Sequence, residues 1–480
     1  MISSRIPLLR LLGALVILLT FSAYASSDCD RKAVRISPAE EWLNYSDSAQ
    51  TAATPRINWW AHLGDPLLDS LIRVGLDNNY DVAMAVRRIN IARAQLGQAR
   101  SAYFPQINLS AGYNYGRQSG AVTSSHGHAV TNGYFDLGLS ASWEIDVFGR
   151  ITEQVKARKA NVRVSRAERA GVEVSIQAQI CQTYISLRMY QAELAVARGH
   201  AESQHKVLDI SHARFEAGLA SMMDVNQAQE NYYSTAASIP MLESEVNSAI
   251  SSLGVLLADQ SQTLRDRLAR PAPMPTYSDV VNVGTPAQLL RRRPDIVQAV
   301  NTIDMYAAQL GVARCLWLPS VSVQASAGTQ AHNGGDLFSK QSFYYSVGPA
   351  ISWTVFEGLN RKYSNAEATQ ALRNAVDQYN LTMQTALSEV NDAISAYFAN
   401  LEYIKNISKA CEASHDYNER AVSNYKSGLS PFINGADAQM AYLQNMNSLI
   451  QARANALNAL VTLYRALGGG WDGDVETDCE

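Results

Sequence analysis

Four short stretches of the chain alternate apolar and polar residues one for one. In the first, Ile107, Leu109, Ala111, Tyr113 and Tyr115 alternate with Gln106, Asn108, Ser110, Gly112 and Asn114. In the second, Phe135, Leu137, Leu139, Ala141, Trp143 and Ile145 alternate with Asp136, Gly138, Ser140, Ser142 and Glu144. Val321, Val323, Ala325 and Ala327 mark the third, and Phe343, Tyr345, Val347, Ile351, Trp353 and Val355 the fourth. A period of two places the apolar residues on one face of a strand and the polar ones on the other. Any one segment reads equally as a half-buried strand of a soluble sandwich. Four of them, with aromatic residues at their ends (Tyr103, Phe104, Phe135, Trp143, Trp317, Phe343 and Trp353), read as barrel strands with lipid on one side and water on the other. Pro349 removes a ladder donor and predicts a bulge or loosened pairing in the fourth strand.

The rest of the pattern is helical. No proline occurs from 106 to 239 or from 350 to 430, and these regions are rich in Ala, Gln, Glu, Arg and Leu. Runs such as 150 to 214 and 360 to 424, as single helices, reach roughly 100 Å at 1.5 Å per residue. A helix of that length cannot wrap a compact core and implies a coiled-coil or tubular assembly. Each run ends at a glycine, Gly218 or Gly428, which tolerates the left-handed turn that stops a helix. Return helices are expected over 222 to 257 and 432 to 467, the first kinked at Pro240.

The same order of elements is written twice. Residues 92–112 align without gaps to 306–326: Ala94, Gln95, Leu96, Gly97, Ala99, Arg100, Pro105 and Ala111 recur as Ala308, Gln309, Leu310, Gly311, Ala313, Arg314, Pro319 and Ala325. Residues 214–229 answer 424–439 through Gly218, Leu219, Ala228 and Gln229, and Trp143 answers Trp353. Self-similarity at a fixed offset points to two tandem structural units.

Composition narrows the compartment and the chemistry. The 480 residues carry 40 Lys+Arg against 44 Asp+Glu, which excludes a disordered chain and gives no basic footprint for nucleic acid. Five scattered Cys without C-x-x-C exclude a disulfide scaffold. Arg5 and Arg10 precede an apolar stretch, Leu11 to Leu19, and then Ala23-Tyr24-Ala25, the pattern of a secretory signal peptide over 1–25. Cys29 is a weaker candidate for lipidation, because Ser26-Ser27-Asp28 before it fits lipoprotein processing poorly. Cys29 and Cys479 could pair in an oxidising periplasm. No stretch approaches the roughly 20 apolar residues of a membrane helix, so entry into a membrane must be by strands. The chain lacks G-x-S-x-G, H-E-x-x-H and a phosphate loop, so neither an enzyme nor a cofactor is expected.

Four strands cannot close a barrel, and an open sheet edge in lipid costs several kcal/mol per unsatisfied group. The strands must be shared among copies of the chain. The sequence resembles the TolC-like outer-membrane channel proteins, and within them the OprM/CusC/NodT-type efflux channels. The motifs that carry this are GDPLLDSLI (64–72), ARAQLGQARSAYFPQI (92–107), WEIDVFGR (143–150), LLRRRPDIVQAV (289–300), GPAISWTVF (348–356) and YRALGGGW (464–471). The resemblance implies an α+β membrane protein in the outer membrane of a Gram-negative bacterium. Three protomers would build a 12-stranded β-barrel that continues into a long α-helical barrel in the periplasm, docked on a periplasmic adaptor protein and an inner-membrane pump. The implied division is an N-terminal segment and first helices at 26–103, strands at 104–146, a helical hairpin at 147–257 and a linker at 258–285. It then repeats as helices at 286–317, strands at 318–356, a hairpin at 357–467 and a tail at 468–480.

In such a conduit the chemistry is the gate. The resemblance makes Gly218, Leu219 and Ser221, with Gly428, Leu429 and Ser430, the adaptor-contact tips. It assigns Asp224 and Tyr425 to a link between neighbouring hairpins, and Ile433, Asn434 and Asp437 to the constriction, where a ring of Asp437 favours cations. Read without it, Asp224 and Asp437 are early helix residues favoured by the helix dipole, and Tyr425 packs between helices. His126 and His128 sit in a presumed external loop, His205 and His212 share a helix face, and Met222 and Met223 read as packing. The alternatives to drug efflux are a trimeric surface adhesin with a helical stalk and a protein-secretion conduit.

Overall fold

The computed structural model describes residues 58–118, 130–277 and 292–471. The signal peptide, Cys29, Cys479, His126 and His128 lie outside them. A 3-10 turn at Trp59–Leu63 leads into α1 (Pro66–Asn78) and α2 (Tyr80–Ser101), then β1 (Gln106–Gln118) and β2 (Val130–Ile145). Helices α3 (Arg150–Glu216), α4 (Met222–Leu256) and α5 (Gln262–Ala269) follow. The second unit is α6 (Pro294–Cys315), β3 (Ser320–Ala331), β4 (Phe343–Ser352), α7 (Asn360–Lys426) and α8 (Phe432–Ala466). Matching elements have matching lengths: α2 and α6 are both 22 residues, α3 and α7 both 67, and α4 and α8 both 35.

The strands form one antiparallel sheet in the order β1-β2-β3-β4. Its register sorts the alternation onto two faces. Leu109 pairs with Leu139, which pairs with Ala327, which pairs with Tyr345; on the other face Ser140 pairs with Asn108 and Ser326, and Ser326 with Ser346. The apolar face is bare in the protomer: Ile107, Leu109, Tyr113, Tyr115, Val347 and Ile351 are all exposed. A continuous apolar face of this kind marks an interaction surface. No helix among the described residues is long and apolar enough to cross a membrane.

Two strand expectations need correction. The ladder runs through Val323 and Pro349 without a bulge, because β4 is an edge strand of the protomer's sheet and a proline can turn its missing donor outward there. The fourth strand also stops at Ser352, short of Trp353 and Val355, because its last partner, Ser320, is where β3 begins. Helix α4 continues through Pro240 as one element.

The main core lies where both units' helices cross, midway between sheet and tips. Trp59, Leu68, Ile72, Ile180, Tyr184, Leu253, Leu257, Val390, Leu460 and Val461 meet there, and Trp59 stacks on Tyr464 with centroids 5.0 Å apart. Arg293, from the RRRPD motif, is buried in this region. It bonds to Asp295, to Glu389 of α7 and to the carbonyl of Ala466 at the end of α8, so it ties α6 to both helices of the second hairpin. Gly470 (φ 105°) holds a backbone conformation that strains any residue with a Cβ, and a Cβ there would also crowd the Gln177 amide oxygen, at 2.0 Å.

Candidate functional site: the hairpin tips

Both long helices stop in the same way. Gly218 (φ 73°) and Gly428 (φ 76°) adopt the left-handed conformation, with Leu219 N–H donating to the Arg214 carbonyl and Leu429 N–H to the Asn424 carbonyl, each at 2.8 Å. This Schellman closure satisfies carbonyls the helix end would otherwise leave open. It presents Leu219 and Leu429 to solvent.

The return helices start differently. Ser221 caps α4: its hydroxyl accepts from Asp224 N–H and the Asp224 carboxylate accepts from Ser221 N–H, both at 3.2 Å, a reciprocal capping box. In the second hairpin the cap position is Pro431, which has no side-chain acceptor, and Asn434 instead donates to the Ser430 hydroxyl at 2.9 Å. Asp224 is therefore held within its own turn, and the structure does not join it to Tyr425 within the chain.

Tyr425 is 3% exposed and is held by the other hairpin. Its hydroxyl lies 3.0 Å from that of Ser211, its carbonyl accepts from the Arg214 guanidinium, and that guanidinium also stacks 4.9 Å from its ring. Phe432 meets the ring edge-on at 5.4 Å. Val207, Leu208, Val225, Ala228 and Ala436 complete a small apolar cluster. Ile433 and Asp437, one helical turn apart, are exposed together with Asn434 on α8, away from this cluster.

Ser211 and Arg214 were not singled out in the sequence. The available signal was spacing: Val207, Ser211 and Arg214 recur at helical intervals on α3, but nothing in one chain says which face meets a partner 214 residues on. His205 pairs with Asp209 on the helix surface, and Met222 and Met223 are exposed beside the tip.

At the opposite end the strands are seated on their helices by repeated contacts. Trp143 donates to the Tyr103 carbonyl at 2.8 Å, and Trp353 to the Trp317 carbonyl at 3.2 Å. Asp146 accepts from the Ile151 and Thr152 N–H groups and the Thr152 hydroxyl. Burial alone would raise its pKa, but these bonds and the Arg150 charge together lower it.

The sheet with one apolar face, the paired long hairpins and the twin tips are the anatomy against which known proteins can be compared. The profile of the outer membrane efflux protein family matches residues 71–258 and 285–469. The chain belongs to the outer membrane efflux protein family. It is 28% identical to outer membrane protein OprJ of Pseudomonas aeruginosa over 96% of each chain. It is also 28% identical to the toluene efflux pump outer membrane protein TtgF of Pseudomonas putida, over 87% of this chain and 86% of that one. Among solved structures, the outer-membrane channel OprN superposes with a TM-score of 0.82 at 28% identity, covering 91% of this chain and 99% of that one. The chain is an outer-membrane channel component of a tripartite efflux system, a conduit rather than an enzyme, with a large helical part in the periplasm.

Proposed function

We propose that three copies of this chain close a 12-stranded barrel and that their hairpins form a continuous periplasmic tunnel, gated at the tips. The observation that carries this is the sheet: an apolar face across four strands, with β1 and β4 at open edges. In lipid those edges must be paired, and a neighbouring copy's β4 is the natural partner for β1. The equal lengths of corresponding elements support an internal tandem duplication, which gives each protomer two similar sectors of the tunnel wall. The division into N-terminal helices, strand pairs and hairpins read from the sequence is retained on the same grounds.

At the gate, Tyr425 locks the second hairpin onto the first, and Asp224, Ile433, Asn434 and Asp437 surround the opening. The exposed Asp437 carboxylates form a ring that favours cations. Gly218, Leu219, Ser221, Gly428, Leu429 and Ser430 present the turns to a periplasmic adaptor, which couples the tunnel to an inner-membrane pump. The cargo is drugs or other toxic small molecules; the toluene relative supports small apolar compounds among them. Deleting the gene sensitises cells to such compounds only when the partner pump is present. Unchanged sensitivity across drugs, solvents, dyes and metals would remove the efflux reading.

A further inference from the structure

Near the tips the contacts among α3, α7 and α8 fall into layers. One layer is fixed by Ser211, Tyr425 and Phe432, whose contacts are 3.0 Å between hydroxyls and 5.4 Å between rings. A second, farther from the tip, is fixed by His200, His415 and Tyr442, with the two imidazoles 5.3 and 5.1 Å from the Tyr442 ring.

Between them the chain places three amides. Gln204 follows His200 by four residues and precedes Ser211 by seven; Asn418 follows His415 by three and precedes Tyr425 by seven; Gln439 follows Phe432 by seven and precedes Tyr442 by three. Residues seven apart return to nearly the same face of a helix, about 10.5 Å along its axis. The three amides therefore share one level, bracketed by two layers of observed contacts. Gln439 touches α3 at that level, its Nε2 lying 3.5 Å from the Ser203 hydroxyl.

Gln204 is 2% exposed, and among the described residues neither its amide oxygen nor its amide nitrogen has a hydrogen-bond partner. The buried amide oxygen of Asn418 has none either. Gln439 is 3% exposed, and its hydrogen bond among the described residues is that long contact. Buried amides in native proteins are satisfied, by protein or by ordered water. A cation would serve the oxygens and leave the Gln204 nitrogen unmet, whereas water both donates and accepts.

We propose that Gln204, Asn418 and Gln439 form a water-binding amide layer that keeps the two hairpins in register and lets them slide past each other when the tips part. The sliding role rests on the reading of the tips as a gate. Apolar knobs packed at crystal density resist a shift smaller than a full step, while amides bridged by water exchange partners with little loss. Polar core positions in coiled coils trade stability for choice of register in the same way.

The test uses the full-length protein with Gln204→Leu and Asn418→Leu combined, and Gln204→Met alone as a near-isosteric variant should the pair fold poorly. Melting of the purified oligomer and single-channel recordings in a Tyr425→Phe background are compared with the same background alone. Replacing the water-bridged amides with apolar side chains raises the melting temperature and makes openings about fivefold rarer. A lower melting temperature would show that the amides are already well paired, and unchanged opening frequency at raised stability would remove the sliding role. If Tyr425→Phe alone leaves the channel as closed as the parent, the gate reading fails, while the melting result still reports on the layer. A crystal structure that resolves ordered water should place a molecule within hydrogen-bond distance of both Gln204 and Asn418; direct amide-to-amide bonds would contradict it.

Discussion

Tyr425 of the second hairpin places its hydroxyl 3.0 Å from the hydroxyl of Ser211 on the first, a side-chain tie between the two arms at the tip beside the bond from the Arg214 guanidinium to the Tyr425 carbonyl. Ser211 is also within donating distance of the Val207 carbonyl, at 3.0 Å, so donation by Tyr425 satisfies both contacts at once. A double-mutant cycle of Ser211→Ala and Tyr425→Phe should give a coupling of about 1 kcal/mol, the net value of one buried hydrogen bond. Chemical denaturation of the purified protein measures it, and additive effects would mean that the contact contributes nothing.

Asp437 is exposed on the same side of α8 as Ile433. Asp437→Ala should shift the reversal potential in a salt gradient toward lower cation selectivity. An unchanged reversal potential would take Asp437 out of the permeation path.

His200 is buried against Tyr442, and burial pushes its pKa below the ordinary 6.5. In the unfolded chain the imidazole gains a proton as pH falls through that ordinary value, while the folded protein resists doing so. The contribution to stability is therefore intact above about pH 6.5 and is lost as pH falls toward the lowered folded value. Melting curves across that window should show an acid-dependent loss that His200→Gln reduces. The same acid slope in the variant would assign it to other groups.

The two strand-to-helix junctions carry different residues at the position just before the long helix. Gly149 (φ 78°) precedes α3, and Leu359 (φ 69°) stands in the same left-handed conformation before α7. That conformation costs a non-glycine residue about 1–2 kcal/mol. Leu359→Gly should raise stability by about 1 kcal/mol and Gly149→Ala should lower it by about as much, read from melting temperatures. Equal small effects of opposite sign to these would show that the leucine side chain's contacts outweigh its strain.

The elements were legible because their periods are strong. Strict alternation marked the strands, proline-free runs the long helices, and Gly218 and Gly428 the turns. The edges were less so: β4 stops at Ser352 because of where its partner strand begins, a property of pairing that Trp353 and Val355 do not disclose. At the tips, Asp224 and Asn434 occupy equivalent positions yet do different things, because Ser221 offers the first a capping partner and Pro431 denies it to the second. Ser211 and Arg214 were invisible because their role depends on a neighbour 214 or 211 residues away, and Arg293 stood out only as part of a charged motif. Nothing local announced that it would bind the end of α8.

In the proposed gate, contacts made by Tyr425 and the residues around it hold the tunnel closed at the tips. Single-channel conductance in planar bilayers tests it most directly. Replacing Asp224 with Ala and Tyr425 with Phe together should convert a small, mostly closed conductance into a large and sustained one. A conductance identical to that of the unmodified protein, in a variant that still assembles, would remove Asp224 and Tyr425 from the gate.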